Sequence, residues 1–234
     1  MDDPEQLEMG AVLFPLMDQA DFTGPFEVLS QLRNSRFHIL AKERKPIRDA
    51  KNLILTPEET LSEAPQLDLL LVPGGAGVNA LMEDEEVLNF IRQQAIGAKI
   101  LLTVCTGALV LGAAGLLKGR KATTHWASHH LLKYFGATPQ DARVVIDGNL
   151  VTTSGVTAGL DGALRVVTLL RGEHVAQQIQ LYLQYAPEPP FECGNPQTAP
   201  PAVLQAAHEA IQDLIKRRSE IVTRVSQRLD IEVN

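Results

Sequence analysis

Lys99-Ile100-Leu101-Leu102-Thr103-Val104-Cys105-Thr106-Gly107 is the stretch that decides the fold. Lys99 to Val104 has the length and composition of a strand, and its apolar residues run on instead of alternating. A strand buried on both faces has no polar side to show, so it reads this way. With no spacer it runs into Thr106 to Leu117, a small-residue segment that the pattern makes a helix. From Ile100 to Leu117 no charged residue occurs, and Lys99 and Lys118 flank the run. That length touches the lower limit of a membrane span. Thr103, Thr106, Gly107, Gly112 and Gly115 interrupt it, however, and a buried strand feeding a buried helix gives the same uncharged run. The second reading is adopted, with no membrane partner.

Outward from this stretch the same alternation repeats. Met9 to Phe14 is an apolar strand ending at Pro15. Thr23 is placed as the N-cap of a helix over Gly24 to Leu32, and Arg36 to Ala41 is the next strand. Lys45 to Thr60 is mixed and holds extended segments. Leu67 to Val72 is a buried strand that stops at Pro73-Gly74-Gly75, and Asp84 caps a helix reaching Ala95. Ala127 to Phe135 is helical, Arg143 to Thr153 is a hairpin about Asp147-Gly148-Asn149, and Thr157 to Arg171 and Glu173 to Tyr185 are two more helices. The expected class is α/β: a single-domain three-layer sandwich with a mostly parallel, flavodoxin-like sheet, helices on both faces, and a strand–nucleophile–helix elbow. The domain is expected over residues 9–186, after an N-terminal extension over 1–8. A proline-rich strap follows over 187–201. Over 202–234 a C-terminal helix, patterned by Ile211, Leu214, Val222, Val225 and Leu229, packs on the same domain or on a second copy. A homodimer is the expected assembly.

Composition narrows the function. The 234 residues suffice for a full core, with 45% hydrophobic and 21% charged residues. The net charge of −7 argues against a nucleic-acid partner. The only run of three basic residues, Lys216-Arg217-Arg218, is read as the solvated face of the last helix. Two cysteines, Cys105 and Cys193, make no disulfide framework, and the acidic start MDDPEQLE is no export signal, so a cytoplasmic location is expected. His129, His130 and Cys193 lack metal-ligand spacing, and no phosphate-binding loop motif occurs. Neither a metal nor an organic cofactor is expected.

In a doubly wound sheet, ligands sit beyond the carboxyl ends of the strands. Three loops should therefore meet: Pro15 to Asp21, Pro73 to Gly77, and Cys105-Thr106-Gly107. Cys105, at a sharp strand-to-helix turn, has the position of a nucleophile, and the following helix N-terminus is expected to favour its thiolate. The amides of Gly75 and Thr106 are candidate donors to developing charge. Asp21 is either a helix-start carboxylate, as is Asp18, or an acid beside Cys105, where like charge and burial would raise its pKa. His125 and Trp126 are candidate pocket residues.

Four segments together resemble the ThiJ/PfpI family, within the class I glutamine-amidotransferase-like fold: Asp21-Phe22-Thr23-Gly24-Pro25, Val72-Pro73-Gly74-Gly75, Thr103-Val104-Cys105-Thr106-Gly107 and Ala122-Thr123-Thr124-His125-Trp126. The likeness covers roughly residues 9–228 and is greatest to the isocyanide-hydrating members. It includes the loop Gly155-Val156-Thr157-Ala158-Gly159 and the tail from Gln184 to Pro200. It implies Cys105 as nucleophile, Asp21 as acid/base, Thr106 as an assisting group, Val156 at the pocket, a small-molecule isocyanide as substrate, and a homodimer. The implied chemistry is hydration to an N-substituted formamide through a thioimidate on Cys105. There are departures. Protease-like members carry His after the cysteine, where Thr106 stands here. The parkinsonism-associated relatives carry Glu at the position of Asp21. The hydratases have Gly and Ile around Ser154 and Val156, and lack a cysteine at Cys193. The alternatives are a redox or small-molecule sensor, a transcription regulator, and a glyoxalase- or amidase-like hydrolase using the same cysteine.

Overall fold

In a computed structural model, residues 5–230 are described. Five parallel strands form the centre: β1 (Leu7–Val12), β2 (Ser35–Ala41), β6 (Leu69–Val72), β7 (Ile100–Thr103) and β11 (Leu150–Thr153). They lie side by side in the order β2-β1-β6-β7-β11, the doubly wound flavodoxin-like order. A two-residue strand, β5 (Glu59–Thr60), extends one edge beyond β2, and β10 (Val144–Asp147) pairs antiparallel with β11 at the other. The expected hairpin is thus present, turning at Gly148-Asn149. Residues 45–60 supply a second small hairpin, β3 (Ile47–Arg48) with β4 (Ile54–Leu55). Every residue of β6, β7 and β11 is buried, which is why their sequences run apolar without alternation.

The helices α1 (Gln19–Leu29), α2 (Val78–Leu81), α3 (Glu85–Gly97), α4 (Gly107–Ala113), α5 (Ala158–Arg171) and α6 (Glu173–Tyr182) surround the sheet. Asp84 caps α3 by accepting from the Glu86 and Val87 amides, as its sequence position predicts. A pair of two-residue strands, β8 (Lys121–Ala122) and β9 (Thr138–Pro139), brackets the segment from Trp126 to Phe135. After the exposed strap comes α7 (Pro201–Arg228). No helix among the described residues is long and apolar enough to cross a membrane.

Several expectations shift. The first helix begins four residues before Thr23: Asp18 is its N-cap, accepting from the Ala20 amide, and Pro25 lies inside the helix. Trp126–Phe135 is a 3₁₀ helix, and α4 stops at Ala113 instead of Leu117, before Gly115 at φ +83°. Strand β1 starts at Leu7, within the expected extension, of which residues 1–4 lie outside the described residues, as do 231–234 of the expected last helix. The basic run also reads differently. Lys216 and Arg217 are exposed, but Arg218 is only 3% exposed, on the same face as Val222 and Val225. That inner face packs on the chain's own 3₁₀ helix and on α2 and α4, at the carboxyl end of the sheet.

Candidate active site

Cys105 follows β7 at φ +54°, a left-handed backbone conformation that costs a non-glycine residue about 1–3 kcal/mol. The turn brings the next residues hard against β6. A Cβ on Gly107 would fall 2.1 Å from the Val72 carbonyl oxygen, so only glycine lets α4 begin here. The Gly107 amide closes the turn onto the Val104 carbonyl, and the Thr124 hydroxyl donates to the Cys105 carbonyl at 2.6 Å. The elbow is thus held from both sides, and Cys105 is 6% exposed.

Asp21, in the first turn of α1, is completely buried. Its Oδ2 accepts from the Gly74 amide at 2.9 Å, while Oδ1 is buried with no hydrogen-bond partner among the described residues. A Cβ on Gly74 would lie 2.5 Å from the Thr106 nitrogen and 2.8 Å from Asp21 Oδ2, so this glycine is what lets the three loops converge. Burial pushes the Asp21 pKa up to about 7. Asp18 adds to the rise, while the Gly74 amide and the facing Cys105 thiol offset part of it.

The thiol corrects an expectation. Burial raises its pKa well above the ordinary thiol value, and a charged Asp21 raises it further. The Thr106 amide and the positive charge of Arg218 act in the opposite direction without reversing it. The helix N-terminus alone does not make a free thiolate here. Desolvation dominates, and it shifts thiol and carboxyl alike toward their neutral forms.

Thr106 and Gly75 are tied to each other. The Gly75 amide donates to Thr106 Oγ1 at 3.0 Å, and that hydroxyl lies 3.3 Å from the Gly75 carbonyl. The Gly75 amide is therefore engaged and not a free donor, whereas the Thr106 amide faces the thiol. His125 N-caps the 3₁₀ helix by accepting from the Ala127 amide through Nδ1, which requires a neutral ring with its proton on Nε2. Burial and Arg218 both hold the His125 pKa low. Trp126 lies between His125, tilted against it with ring centroids 5.3 Å apart, and His208 of α7, which it meets edge-to-face at 4.7 Å. Val156 stands half-buried in the turn before α5, where its carbonyl accepts from the Gly159 amide, and among the described residues it makes no hydrogen bond to the elbow. Cys193 is a free, exposed cysteine in the strap. Among the described residues no cluster of three His, Cys, Asp or Glu side chains is arranged to hold a metal.

Three participants were not singled out from the sequence. The Gly74 amide and Thr124 hydroxyl lie inside motifs whose other members drew attention. Arg218 has a readable signal: it stands four residues after Leu214 and four before Val222, in register with the buried stripe.

The DJ-1/PfpI family model matches residues 11–169. The chain belongs to the DJ-1/PfpI family. This DJ-1/PfpI chain is 49% identical to the isonitrile hydratase of Pseudomonas putida, over 96% of its own length and 99% of that protein's. It superposes on a ThiJ/PfpI family protein from Pseudomonas syringae with a TM-score of 0.91 at 38% identity, covering 94% of this chain and 91% of that one. It is also 30% identical to the HTH-type transcriptional regulator GbdR of Pseudomonas aeruginosa, over 71% of this chain but only 46% of that protein.

Proposed function

We propose that this protein hydrates isocyanides to N-substituted formamides, with Cys105 as nucleophile and Asp21 as general acid and base. The observation that carries the reading is the buried face-to-face placement of the Cys105 thiol and the Asp21 carboxyl, both shifted toward their neutral forms. Identity at 49% to an isonitrile hydratase supports the substrate class.

The chemistry asks for this pair. The terminal carbon of an isocyanide accepts a nucleophile and a proton at one atom. A thiol and a carboxylate sharing one proton can supply both: sulfur bonds to the carbon, the proton passes by way of Asp21 to the same carbon, and a thioimidate results. Asp21, left as a carboxylate, takes a proton from water, whose oxygen adds to the thioimidate carbon, and passes that proton to the nitrogen. The tetrahedral species expels sulfur as the C–S bond breaks, and the proton of its hydroxyl returns to the thiol–carboxyl pair. One isocyanide and one water give one formamide. The Thr106 amide steadies sulfur when it carries charge, and the hydroxyl of Thr106 fixes Gly75 in place. His125, Trp126 and Val156 are assigned to the substrate pocket. The scheme uses no metal and no organic cofactor.

A sensor reading asks for an accessible, low-pKa thiol, and the burial of Cys105 disfavours it. The deciding experiment follows a chromogenic aryl isocyanide with wild type and Cys105→Ala, identifying the formamide by mass spectrometry. Turnover lost in the variant supports the scheme; an active Cys105→Ala sinks it. We also propose a homodimer, formed through exposed Leu16, Leu53 and Ile54. The loop after β1 that carries Leu16 is tied to the β3–β4 hairpin that carries Leu53 and Ile54, the Leu16 amide donating to the Arg48 carbonyl and the Ala50 amide to the Met17 carbonyl.

A further inference from the structure

Arg218 is a buried cation with no anionic partner among the described residues. Its Nε donates to Asn79 Oδ1 at 2.8 Å, one Nη to the Ser128 hydroxyl at 3.0 Å and the other to the Gly75 carbonyl at 3.0 Å. All three acceptors are neutral, and among the described residues Arg218 makes no ion pair, although it is only 3% exposed. Taking a guanidinium out of water without a counterion is costly, and three neutral hydrogen bonds offset only part of that cost. A fold that merely needed to anchor a helix at this point would be served as well by an apolar side chain in the register of Leu214 and Val222.

Its position supplies a reason. The Gly75 carbonyl that Arg218 grips also faces the Thr106 hydroxyl, and Thr106 follows Cys105 directly. The guanidinium therefore sits two hydrogen bonds from the elbow, brought there by a helix lying 143 residues further along the chain than Gly75. We propose that Arg218 is a positioning residue of the active site: it provides the fixed counter-charge for the Cys105 thiolate that forms during reaction, and thereby makes α7 part of the reaction centre. The inference rests on Cys105 being the nucleophile, but not on the substrate being an isocyanide.

The charged and titratable groups facing Cys105 come from several elements. Asp18 and Asp21 at the start of α1 disfavour the thiolate, Arg218 of α7 favours it, and neutral His125 of the 3₁₀ helix adds no charge. Arg218 is thus the only side-chain cation acting on sulfur among these groups. The attraction is mutual, since a thiolate at Cys105 would raise the Arg218 pKa, which burial lowers to about 10.

The test is the pH dependence of Cys105 alkylation by iodoacetamide, read by mass spectrometry on the Cys105 peptide so that Cys193 does not contribute. It is run on wild type, Arg218→Gln, Arg218→Lys and Asp18→Asn, each checked for a native melt. Removing the charge in Arg218→Gln should raise the alkylation midpoint by about one pH unit or more, a roughly tenfold slower reaction at a fixed pH below the midpoint. Arg218→Lys, which keeps the charge but not the three-way grip, should stay within about half a unit of wild type. Asp18→Asn keeps the helix cap and should lower the midpoint. An unshifted Arg218→Gln overturns the proposal, and so does an Arg218→Lys shifted as far as Arg218→Gln, since the grip would then be the whole role. If Arg218→Gln does not fold, Arg218→Lys decides alone: a midpoint within half a unit supports the counter-charge, and a higher one overturns it. A wild-type Cys105 that alkylates at no pH would instead refute the nucleophile reading, a distinct result.

Discussion

Cys105 and Asp21 share one problem at the residue scale: each is easier to bury neutral than charged, yet the reaction needs one of them ionised. A pair holding a single proton satisfies both demands, and its two titrations belong to the pair. With the first step near 7, kcat/KM should rise through that region as the doubly protonated form is lost, and a profile flat from pH 5 to 9 would contradict this. Asp21→Asn should reduce turnover by at least ~100-fold. The same substitution should stabilise the fold. The folded pKa of about 7 exceeds the unfolded value of 3.8, so the native state holds the extra proton between them and stability falls as pH rises across that window. Above it the cost is of order 4 kcal/mol, by about 1.4 kcal/mol per unit. Asp21→Asn should therefore melt several degrees above wild type at pH 8 and match it more nearly at pH 4, as calorimetry would show.

Elements were legible in the sequence where burial is two-sided and local. Leu67 to Val72 and Lys99 to Val104 contain their strands because no charged residue interrupts β6 or β7 and every residue of both is buried. Asp84 announced its helix because capping acts within three residues. The start of α1 was misplaced because Pro25 so close to Thr23 imitates a first turn. In fact the helix carries that proline internally and gives up the amide that would have bonded to the Asp21 carbonyl. Arg218 was misread for another reason. Three consecutive basic residues look solvated, and only contacts across 90 to 143 residues, to Ser128, Asn79 and Gly75, make one of them internal. The elbow position brought out Cys105, and the resemblance added the acid/base role of Asp21 to its two open readings, whereas the engaged state of the Gly75 amide depends on where Thr106 points. One element-scale consequence is testable: Gly107→Ala drives a methyl into the Val72 carbonyl and should cost about 3 kcal/mol or more. That is a fall of roughly 6–12 °C in melting temperature; an unchanged melt would show that the elbow tolerates a side chain there.

For the whole molecule, Asp21, Gly74, Gly75, Cys105 and Thr106 follow the carboxyl ends of β1, β6 and β7, and α7 comes in beside them from the far end of the chain. If Leu16, Leu53 and Ile54 form the contact between copies, Leu53→Glu with Ile54→Glu should turn a dimer into a monomer by sedimentation velocity, without loss of the native melt. A doubly substituted protein that still sediments as a dimer would move the contact elsewhere.

The sheet's two borders limit how such molecules can meet. On one side the outermost strand is only two residues long, and its Glu59 is committed to Arg36 and His38. On the other, the border strand belongs to a tight hairpin whose Asp147 is held by the Lys121 amide and Arg120. Neither offers a foreign chain a long, flat, unpaired template. Concentrated solutions should therefore resist cross-β growth while the fold is intact, and fibrils should appear only under conditions that first unfold the domain.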